Sequence, residues 1–281
     1  MNKKNSEGFM LINPIKEKLD IIVLAGQSNA EGYGLGPCDE PYIPSTDILS
    51  MRDVDNQGYV VNEKTYGTLA ITLPRHYIIG LTEERCSTSS KIGCFAPYFA
   101  RKYAAECLAP DRKVLIIHSA VGATGFAKKN WGLEDVLYKR MVRMIDLALA
   151  MNPENRIVAF LWHQGEHEAV FRPQLTPEER ESTHISDMTA LISDVRARYG
   201  EVPFVTAGFT DKWCESCENH KYVLSALKKV VAAFPRATIV DSTGLPTNAE
   251  ALNATDVYHF SRNSLRILGE RYFDGYLSII D

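Results

Sequence analysis

Residues 20–29 read Asp-Ile-Ile-Val-Leu-Ala-Gly-Gln-Ser-Asn, and this stretch decides the fold. The apolar run after Asp20 is typical of a buried strand in a parallel sheet. Gly26 ends that strand, and Ser28 follows at its carboxyl end, where open α/β sheets bind their ligands. Serine is also a favoured helix cap, so this stretch alone leaves Ser28 open to a capping role or a nucleophilic one.

The rest of the chain alternates between strands and helices. Further strands are predicted at 46–51, 114–117, 157–162, 203–209 and 238–240. Helices are predicted at 95–108, 133–150, 177–199, 218–234 and 261–277. This alternation, with crossovers long enough for right-handed βαβ units, predicts an α/β fold with a doubly wound parallel sheet of about five strands.

One domain is expected to span residues 20–281, after a polar leader over 1–19 that packs on it. Residues 38–92 show little periodicity and are punctuated by glycine and proline. We therefore expect long loops there, lying over the carboxyl edge of the sheet. Long loops in compact domains usually serve function.

Charge and hydropathy exclude several classes of partner. The 281 residues include 31 basic and 35 acidic ones, which gives a net charge of −4. This charge argues against a nucleic-acid partner and against binding to an anionic membrane. No apolar run approaches the roughly 20 residues that cross a bilayer, and the leader lacks the apolar region of a signal peptide, so we expect a cytoplasmic protein. The sequence predicts no particular oligomeric state.

The cysteine pattern indicates neither a disulfide scaffold nor a metal centre. Six cysteines are few for a disulfide-rich fold of this length. Cys214 and Cys217 have the spacing of metal ligands and His220 follows, but a zinc site needs a further ligand that the pattern lacks. We expect no metal and no organic cofactor.

Polar residues and glycines follow three of the predicted strands. Gln27 and Ser28 follow the first strand, Gly122 comes after the strand at 114–117, and Gln164 and Glu166 follow the strand at 157–162. Because the carboxyl ends of parallel strands meet at one edge of the sheet, we expect these residues to lie close together.

A nucleophilic serine needs a base, and the base needs an acid that orients it. Asp256 and His259 lie three residues apart, just before the last predicted helix, and offer both groups from one loop. Taken alone, such a pair is more often a surface or helix-capping feature.

The oxyanion of an acyl-transfer intermediate needs fixed hydrogen-bond donors. The backbone N–H groups of Ser28 and Gly122 and the side-chain amide of Gln164 are the candidates. Taken singly, Gly122 could equally form a tight turn, and Gln164 could tie one strand end to the next loop. The expected position of all three groups at one edge of the sheet favours an oxyanion hole.

A family resemblance rests on four motifs in a fixed order. They are Gly26-Gln27-Ser28-Asn29, Ala120-Val121-Gly122-Ala123-Thr124, Trp162-His163-Gln164-Gly165-Glu166 and Asp256-x-x-His259. From about residue 20 to 275 the chain resembles the SGNH hydrolase superfamily, and within it the sialate O-acetylesterase-like carbohydrate esterases, which include acetylxylan esterases.

The resemblance implies a three-layer α/β/α fold of flavodoxin type. It also implies that Ser28 is the nucleophile, His259 the base and Asp256 its orienting acid. The oxyanion hole would be formed by Ser28, Gly122 and Gln164.

The chain departs from the family pattern at several places. Gln164 stands where the wider superfamily has asparagine, although the carbohydrate-esterase branch shows glutamine. Ala123 replaces a second glycine, and Ala30 replaces the usual methionine after Asn29. Cys94-Phe95-Ala96 stands where the branch usually has Gly-Pro-Glu before a helix. These changes remove no catalytic group, but they leave the substrate open.

Two other classes of function remain as alternatives. His163-x-x-Glu166-His167 fits the zinc-binding pattern of inverted metallopeptidases. That pattern needs a regular helix, and here it directly follows a strand and contains Gly165. The other alternative is a non-catalytic carbohydrate-binding protein on an esterase fold, since a fold does not fix function.

The sequence thus predicts a serine esterase that removes acetyl groups from a carbohydrate, such as an acetylated sugar, xylan or sialic acid, through an acetyl-enzyme. Gln27 and Glu166 would support the loops or contact substrate. Trp131 and Trp213 would stack on a sugar ring or pack in the protein.

Overall fold

A computed structural model describes residues 11–12, 17–43, 45–51, 76–77 and 94–280. Most of the predicted leader and most of the segment 38–92 lie outside the described residues. The loops expected there are therefore not part of the fold described below.

The described strands form one sheet. They are β1 (Leu11–Ile12), β2 (Lys18–Gly26), β3 (Ile48–Met51), β4 (His76–Tyr77), β5 (Arg112–His118), β6 (Arg156–His163), β7 (Phe204–Ala207) and β8 (Ala237–Val240). Their order is β1-β4-β3-β5-β2-β6-β7-β8. The strands from β3 to β8 in this order pair in parallel, while the short β4 pairs antiparallel with β3 and β1.

The helices of the described residues connect these strands. They are α1 (Ser28–Glu31), α2 (Ala96–Glu106), α3 (Val136–Ala150), α4 (Glu166–Val170), α5 (Pro177–Tyr199), α6 (Asp211–Ser216), α7 (His220–Ala233), α8 (Asn248–Leu252) and α9 (Arg262–Ile280). A short 3₁₀ helix spans Phe126–Lys128.

Strand β2 lies at the centre of the sheet because both of its faces are apolar. Ile21, Val23 and Ala25 belong to the core on one face, together with α3, α5 and α7. Ile22 and Leu24 belong to the core on the other face, together with α2 and α9. Because successive side chains of a strand point to opposite faces, β2 contributes to the cores on both sides of the sheet. The fold is therefore a three-layer α/β/α sandwich, as predicted.

Element boundaries follow local chemistry. Helix α5 begins at Pro177, where Thr176 accepts from the Glu179 N–H at 3.2 Å and the Glu179 carboxylate accepts from the Thr176 N–H at 2.9 Å. This is the capping box that the sequence predicts. The predicted strand at 203–209 is shorter in the structure, ending at Ala207, and the sequence did not reveal α6, which the Thr210 side chain caps.

Candidate active site

The turn after β2 depends on a glycine. Gly26 has a φ of 125°, and a Cβ there would lie 2.1 Å from the carbonyl oxygen of His163. The same carbonyl accepts from the Gln27 N–H at 2.9 Å, so the ends of β2 and β6 touch at this point. Only glycine permits this approach in the left-handed region. As a result, Ser28 begins the four-residue α1 at the carboxyl edge of the sheet.

Ser28 and His259 line the same cleft, which has a volume of about 350 Å³. Residues from five segments of the chain form its walls: Gln27, Ser28, Tyr33, Ala123, Glu166, His167, Val170, Phe171, Trp213, Tyr258 and His259. The structure therefore brings the predicted nucleophile and the predicted base to one cavity at the predicted edge.

The Asp256–His259 pair is formed locally, within one loop. His259 Nδ1 lies 2.8 Å and 3.0 Å from the two carboxylate oxygens of Asp256. Asp256 also accepts from the Asn248 side chain at 2.9 Å. Burial opposes ionisation of Asp256, but the bonds from His259 and Asn248 outweigh it and lower the pKa of the carboxyl group. Because Nδ1 donates to this carboxylate, Nε2 is the atom left to handle a proton.

The Tyr33 ring fixes the plane of the histidine. It stacks on His259 with 4.9 Å between ring centroids and 23° between the planes. No sequence motif pointed to Tyr33, since it lies in the irregular stretch after α1.

Asn29 links three parts of the site. Its side-chain amide donates to Glu166 Oε1 at 2.9 Å and to the Tyr258 carbonyl at 3.1 Å. Its side-chain oxygen accepts from the Phe260 N–H at 3.1 Å. The residue is fully buried. Asn29 therefore holds the turn that carries Ser28 against the loop that carries His259.

Glu166 is a buried carboxylate on the cleft wall. Only 6% of its surface is exposed, and its Oε2 atom has no hydrogen-bond partner among the described residues. Burial raises the pKa of Glu166, and its own backbone N–H, Asn29 and the nearby His259 partly oppose this rise. Burial thus opposes ionisation of Glu166 on the same cleft that His259 lines.

Gly122 has a close neighbour in the chain itself. Its N–H donates to Glu31 Oε2 at 2.5 Å. A Cβ at Gly122 would lie 2.9 Å from that oxygen and 2.9 Å from the Tyr33 hydroxyl. The Gly122 N–H, which the sequence analysis assigns to the oxyanion hole, thus already donates to the Glu31 carboxylate.

The side-chain amide of Gln164 also donates to a carboxylate of the chain. The residue is 1% exposed, and its Nε2 donates to Glu168 Oε1 at 3.0 Å. The Oε1 atom of Gln164 is buried and accepts no hydrogen bond within the part of the chain that the structure describes. Sequence reasoning did not single out Glu168, although the residue lies one helical turn after Gln164.

The comparisons with known proteins identify the family. Residues 18–278 match the model of the family described as carbohydrate esterase, sialic acid-specific acetylesterase. The chain belongs to this family. It is therefore a carboxylic ester hydrolase of the carbohydrate-esterase type. No curated protein matches the chain by sequence.

Solved structures show the same fold at low sequence identity. NanS is 17% identical, with a TM-score of 0.68 over 93% of this chain and 97% of NanS. A protein from Arabidopsis thaliana is 19% identical, with a TM-score of 0.65 over 92% of this chain and 98% of its own. A carbohydrate acetylesterase from Xanthomonas citri is 15% identical, with a TM-score of 0.62 over 92% of this chain and 56% of its own. The SGNH-type fold expected from the sequence is confirmed.

The two tryptophans considered for sugar stacking, Trp131 and Trp213, occupy different places in the esterase. Trp131 is fully buried, packs edge-on against Trp162 at 5.2 Å, and donates to Thr124 at 3.0 Å. The sugar-stacking interpretation of Trp131 is therefore wrong, because no face of its ring reaches solvent. Trp213 is 2% exposed but lines the cleft from below.

No sequence motif pointed to the exposed apolar side chains of the cleft. Val170 and Phe171 are 49% exposed and Tyr258 is 52% exposed. Phe171 stacks on His167 at 4.9 Å, and Lys128 Nζ lies 4.3 Å from the centre of the Phe171 ring. The helix that carries Val170 was too short to show periodicity in the sequence.

The zinc-peptidase pattern is split between two elements. His163 ends β6, is fully buried, and lies 3.0 Å from the Tyr272 hydroxyl through Nδ1. Burial lowers its pKa to about 3. His167 belongs to α4, so the two histidines do not share one regular helix as that motif requires.

None of the helices within the described ranges combines the length and apolar character that a membrane span needs.

Proposed function

We propose that this esterase removes acetyl groups from an acetylated sugar through a Ser28–His259–Asp256 mechanism. The observation that carries the proposal is the Asp256–His259 hydrogen bond in the cleft that Ser28 lines. A carboxylate on Nδ1 fixes the tautomer that leaves Nε2 free to accept the proton of a serine hydroxyl.

In the proposed reaction, His259 takes the proton from Ser28, and the serine oxygen attacks the acetyl carbonyl. The N–H groups of Ser28 and Gly122 and the amide of Gln164 hold the oxyanion. The C–O bond to the sugar then breaks, and His259 gives its proton to the leaving hydroxyl. Water attacks the acetyl-enzyme in the same way and releases acetate, so no cofactor is consumed.

The cleft supports a sugar ring as the leaving group. Its exposed walls include Tyr258, next to the base, and the apolar side chains of Val170 and Phe171. Binding sites for small molecules typically combine such apolar walls with a few polar groups. The family description names sialic acid, and the Xanthomonas citri neighbour is described as a carbohydrate acetylesterase.

The test is acetate release from O-acetylated sialic acid, acetylated xylan oligosaccharides and a small aryl acetate. We expect release by the wild type, and a loss of at least about 1,000-fold in kcat for Ser28→Ala. Ser278→Ala, an exposed serine on the last helix, is the matched control and should behave as wild type. A chelator should leave the activity unchanged.

Two results would overturn the proposal. If no acetate is released from any of these esters, the chain is a carbohydrate-binding protein on an esterase fold. If Ser28→Ala retains the wild-type rate, Ser28 is not the nucleophile.

A further inference from the structure

The Gln164 amide has a defined orientation in the structure. Its Nε2 donates to Glu168 Oε1 at 3.0 Å, and this bond uses one of the two hydrogens on that nitrogen. A reversed amide would bring the Gln164 oxygen to the same distance from a carboxylate oxygen, with no hydrogen between the two acceptors. An ionised Glu168 therefore selects the orientation in which the amide nitrogen faces it.

Glu168 is itself held by several contacts. It is fully buried, the Ala127 N–H lies 3.1 Å and 3.3 Å from its two oxygens, and Arg172 lies 3.1 Å from Oε2. Burial raises the pKa of Glu168, while Arg172, the Ala127 N–H and Gln164 oppose the rise. A buried charge is costly unless it is paired and hydrogen-bonded, and here each oxygen has such partners.

Gly125 allows the Gln164–Glu168 pair to approach the chain this closely. A Cβ at Gly125 would lie 2.4 Å from Glu168 Oε1 and 2.9 Å from Gln164 Nε2. The loop after β5, which also carries Gly122, is therefore packed directly on this pair.

The same cluster contains three groups that can ligate a metal. Atoms of Glu168, His184 and Asp187 lie within 4.8 Å of one another. Arg172, however, lies 2.6 Å from Asp187 and 3.1 Å from Glu168, between the two carboxylates. The Arg172 guanidinium thus supplies positive charge to both carboxylates, and these contacts form an ion network around Glu168.

We propose that Glu168 is a positioning residue for the oxyanion hole. The Glu168 carboxylate accepts one hydrogen of the Gln164 amide and so fixes the orientation of that amide. The second hydrogen on the same nitrogen is then available to the oxyanion that forms on the substrate. This inference rests on the proposed function, in which Gln164 is an oxyanion donor. Glu168 touches neither substrate nor nucleophile in this role, and it acts through Gln164 alone.

A double-mutant cycle of Glu168→Gln and Gln164→Ala tests the inference. Removing one oxyanion donor costs about 100- to 1,000-fold in kcat, and we expect Gln164→Ala to fall in that range. Glu168→Gln should lower kcat by about 10-fold or more with KM within about twofold, since the neutral side chain tolerates either amide orientation. The double variant should be no slower than Gln164→Ala.

Asp187→Asn is the matched control. It removes a charge from the same Arg172 network without touching Gln164, so kcat should stay within about twofold of wild type. Glu168→Asp provides a second route if Glu168→Gln fails to fold. It keeps the charge beside Arg172 but withdraws the oxygen from Gln164, and its loss in kcat should also vanish in the Gln164→Ala background.

Losses that multiply in the double variant would overturn the inference, because Glu168 would then act independently of Gln164. A wild-type kcat for Glu168→Gln or Glu168→Asp, or an equal loss for Asp187→Asn, would overturn it as well. These outcomes are distinct from failure of the proposed function, which is decided by acetate release from the test esters and by Ser28→Ala.

Discussion

The two halves of this active site are prepared to different degrees. On the proton-transfer half, Asp256 and His259 already form the hydrogen bond that the reaction needs. On the oxyanion half, Gly122 and Gln164 each donate to a carboxylate of the chain itself. In the proposed mechanism, the first half thus has the contact it requires, whereas the donors of the second half already bind carboxylates of the chain.

The two carboxylates on the oxyanion half differ in kind. Glu168 is fully buried in an ion network, and its bond leaves a second Gln164 hydrogen for substrate. Glu31 is half-buried at the end of the short α1, and it occupies the single hydrogen of the Gly122 N–H. Glu168 is thus part of the scaffold, while Glu31 must move before Gly122 can bind an oxyanion.

The largest effect is expected on the proton-transfer half. Asp256→Asn should lower kcat by about 10,000-fold, because an amide at this position can stabilise the wrong histidine tautomer. Steady-state hydrolysis of an aryl acetate measures this loss. Asp274→Asn, an exposed aspartate on α9, is the control for loss of one negative charge. A loss below about tenfold in Asp256→Asn would mean that His259 does not depend on this carboxylate.

A smaller effect of opposite sign is expected on the oxyanion half. Glu31→Ala frees the Gly122 N–H, and kcat/KM should rise by about tenfold, since a hydrogen bond to a charged group contributes about 1.5–3 kcal/mol. The same assay measures the rise, and Glu218→Ala, an exposed glutamate that pairs with Lys221, is the charge control. A fall in kcat/KM would show instead that Glu31 supports substrate binding.

Glu166 lies between the two halves, and its ionisation should contribute to the pH dependence of the free energy of unfolding. Its pKa is raised above the ordinary 4.5 by burial, so the folded state binds the proton more tightly than the unfolded state. The free energy of unfolding should therefore fall as the pH rises from about 4.5 through the raised value. Glu166→Gln removes this slope and should be more stable than wild type by about 1 kcal/mol at neutral pH.

Urea unfolding at acidic and neutral pH measures that difference. Glu218 is the control, because the hydrogen bond from Lys221 lowers its pKa and its contribution is lost as the pH falls. For Glu218→Gln, the difference from wild type in the free energy of unfolding should be small and of opposite sign. An unchanged difference between Glu166→Gln and wild type at both pH values would contradict the account of Glu166.

The smallest effect is expected beside Gly122. Ala123 adopts a φ of 59°, a left-handed conformation that glycine adopts without a steric penalty. Ala123→Gly should therefore stabilise the fold by about 0.5–1 kcal/mol, measured by urea unfolding. Ala197→Gly, at an exposed position within α5, should cost about 1 kcal/mol and serves as the opposite control. A destabilised Ala123→Gly would show that contacts of the alanine methyl group outweigh the backbone strain.

The fold and the contact between Asp256 and His259 could be predicted from the sequence, for physical reasons. The apolar run at 21–25 leaves little choice other than a buried strand, and Asp256 and His259 are close in sequence, so their contact needs no tertiary information. The parallel part of the described sheet has six strands where about five were expected, and the strand predicted at 46–51 is one of them, as β3.

The contacts of Gly122 and of Asn29 could not be predicted from the sequence, because they join distant residues. The Glu31–Gly122 bond spans 91 positions and the Asn29–Glu166 bond spans 137. Such pairings depend on the order of strands in the sheet, which periodicity does not reveal. The same limit explains Trp131, whose side chain the sequence could not place in the core or in the cleft.

The most direct test of the central claim is to locate the acetyl group during turnover. The enzyme is mixed with an excess of aryl acetate, quenched in acid, digested and mapped by mass spectrometry. We predict one added acetyl group on Ser28, in the peptide that contains Gly26-Gln27-Ser28-Asn29, and none in Ser28→Ala. An acetyl group on a different residue, together with wild-type turnover by Ser28→Ala, would contradict the account.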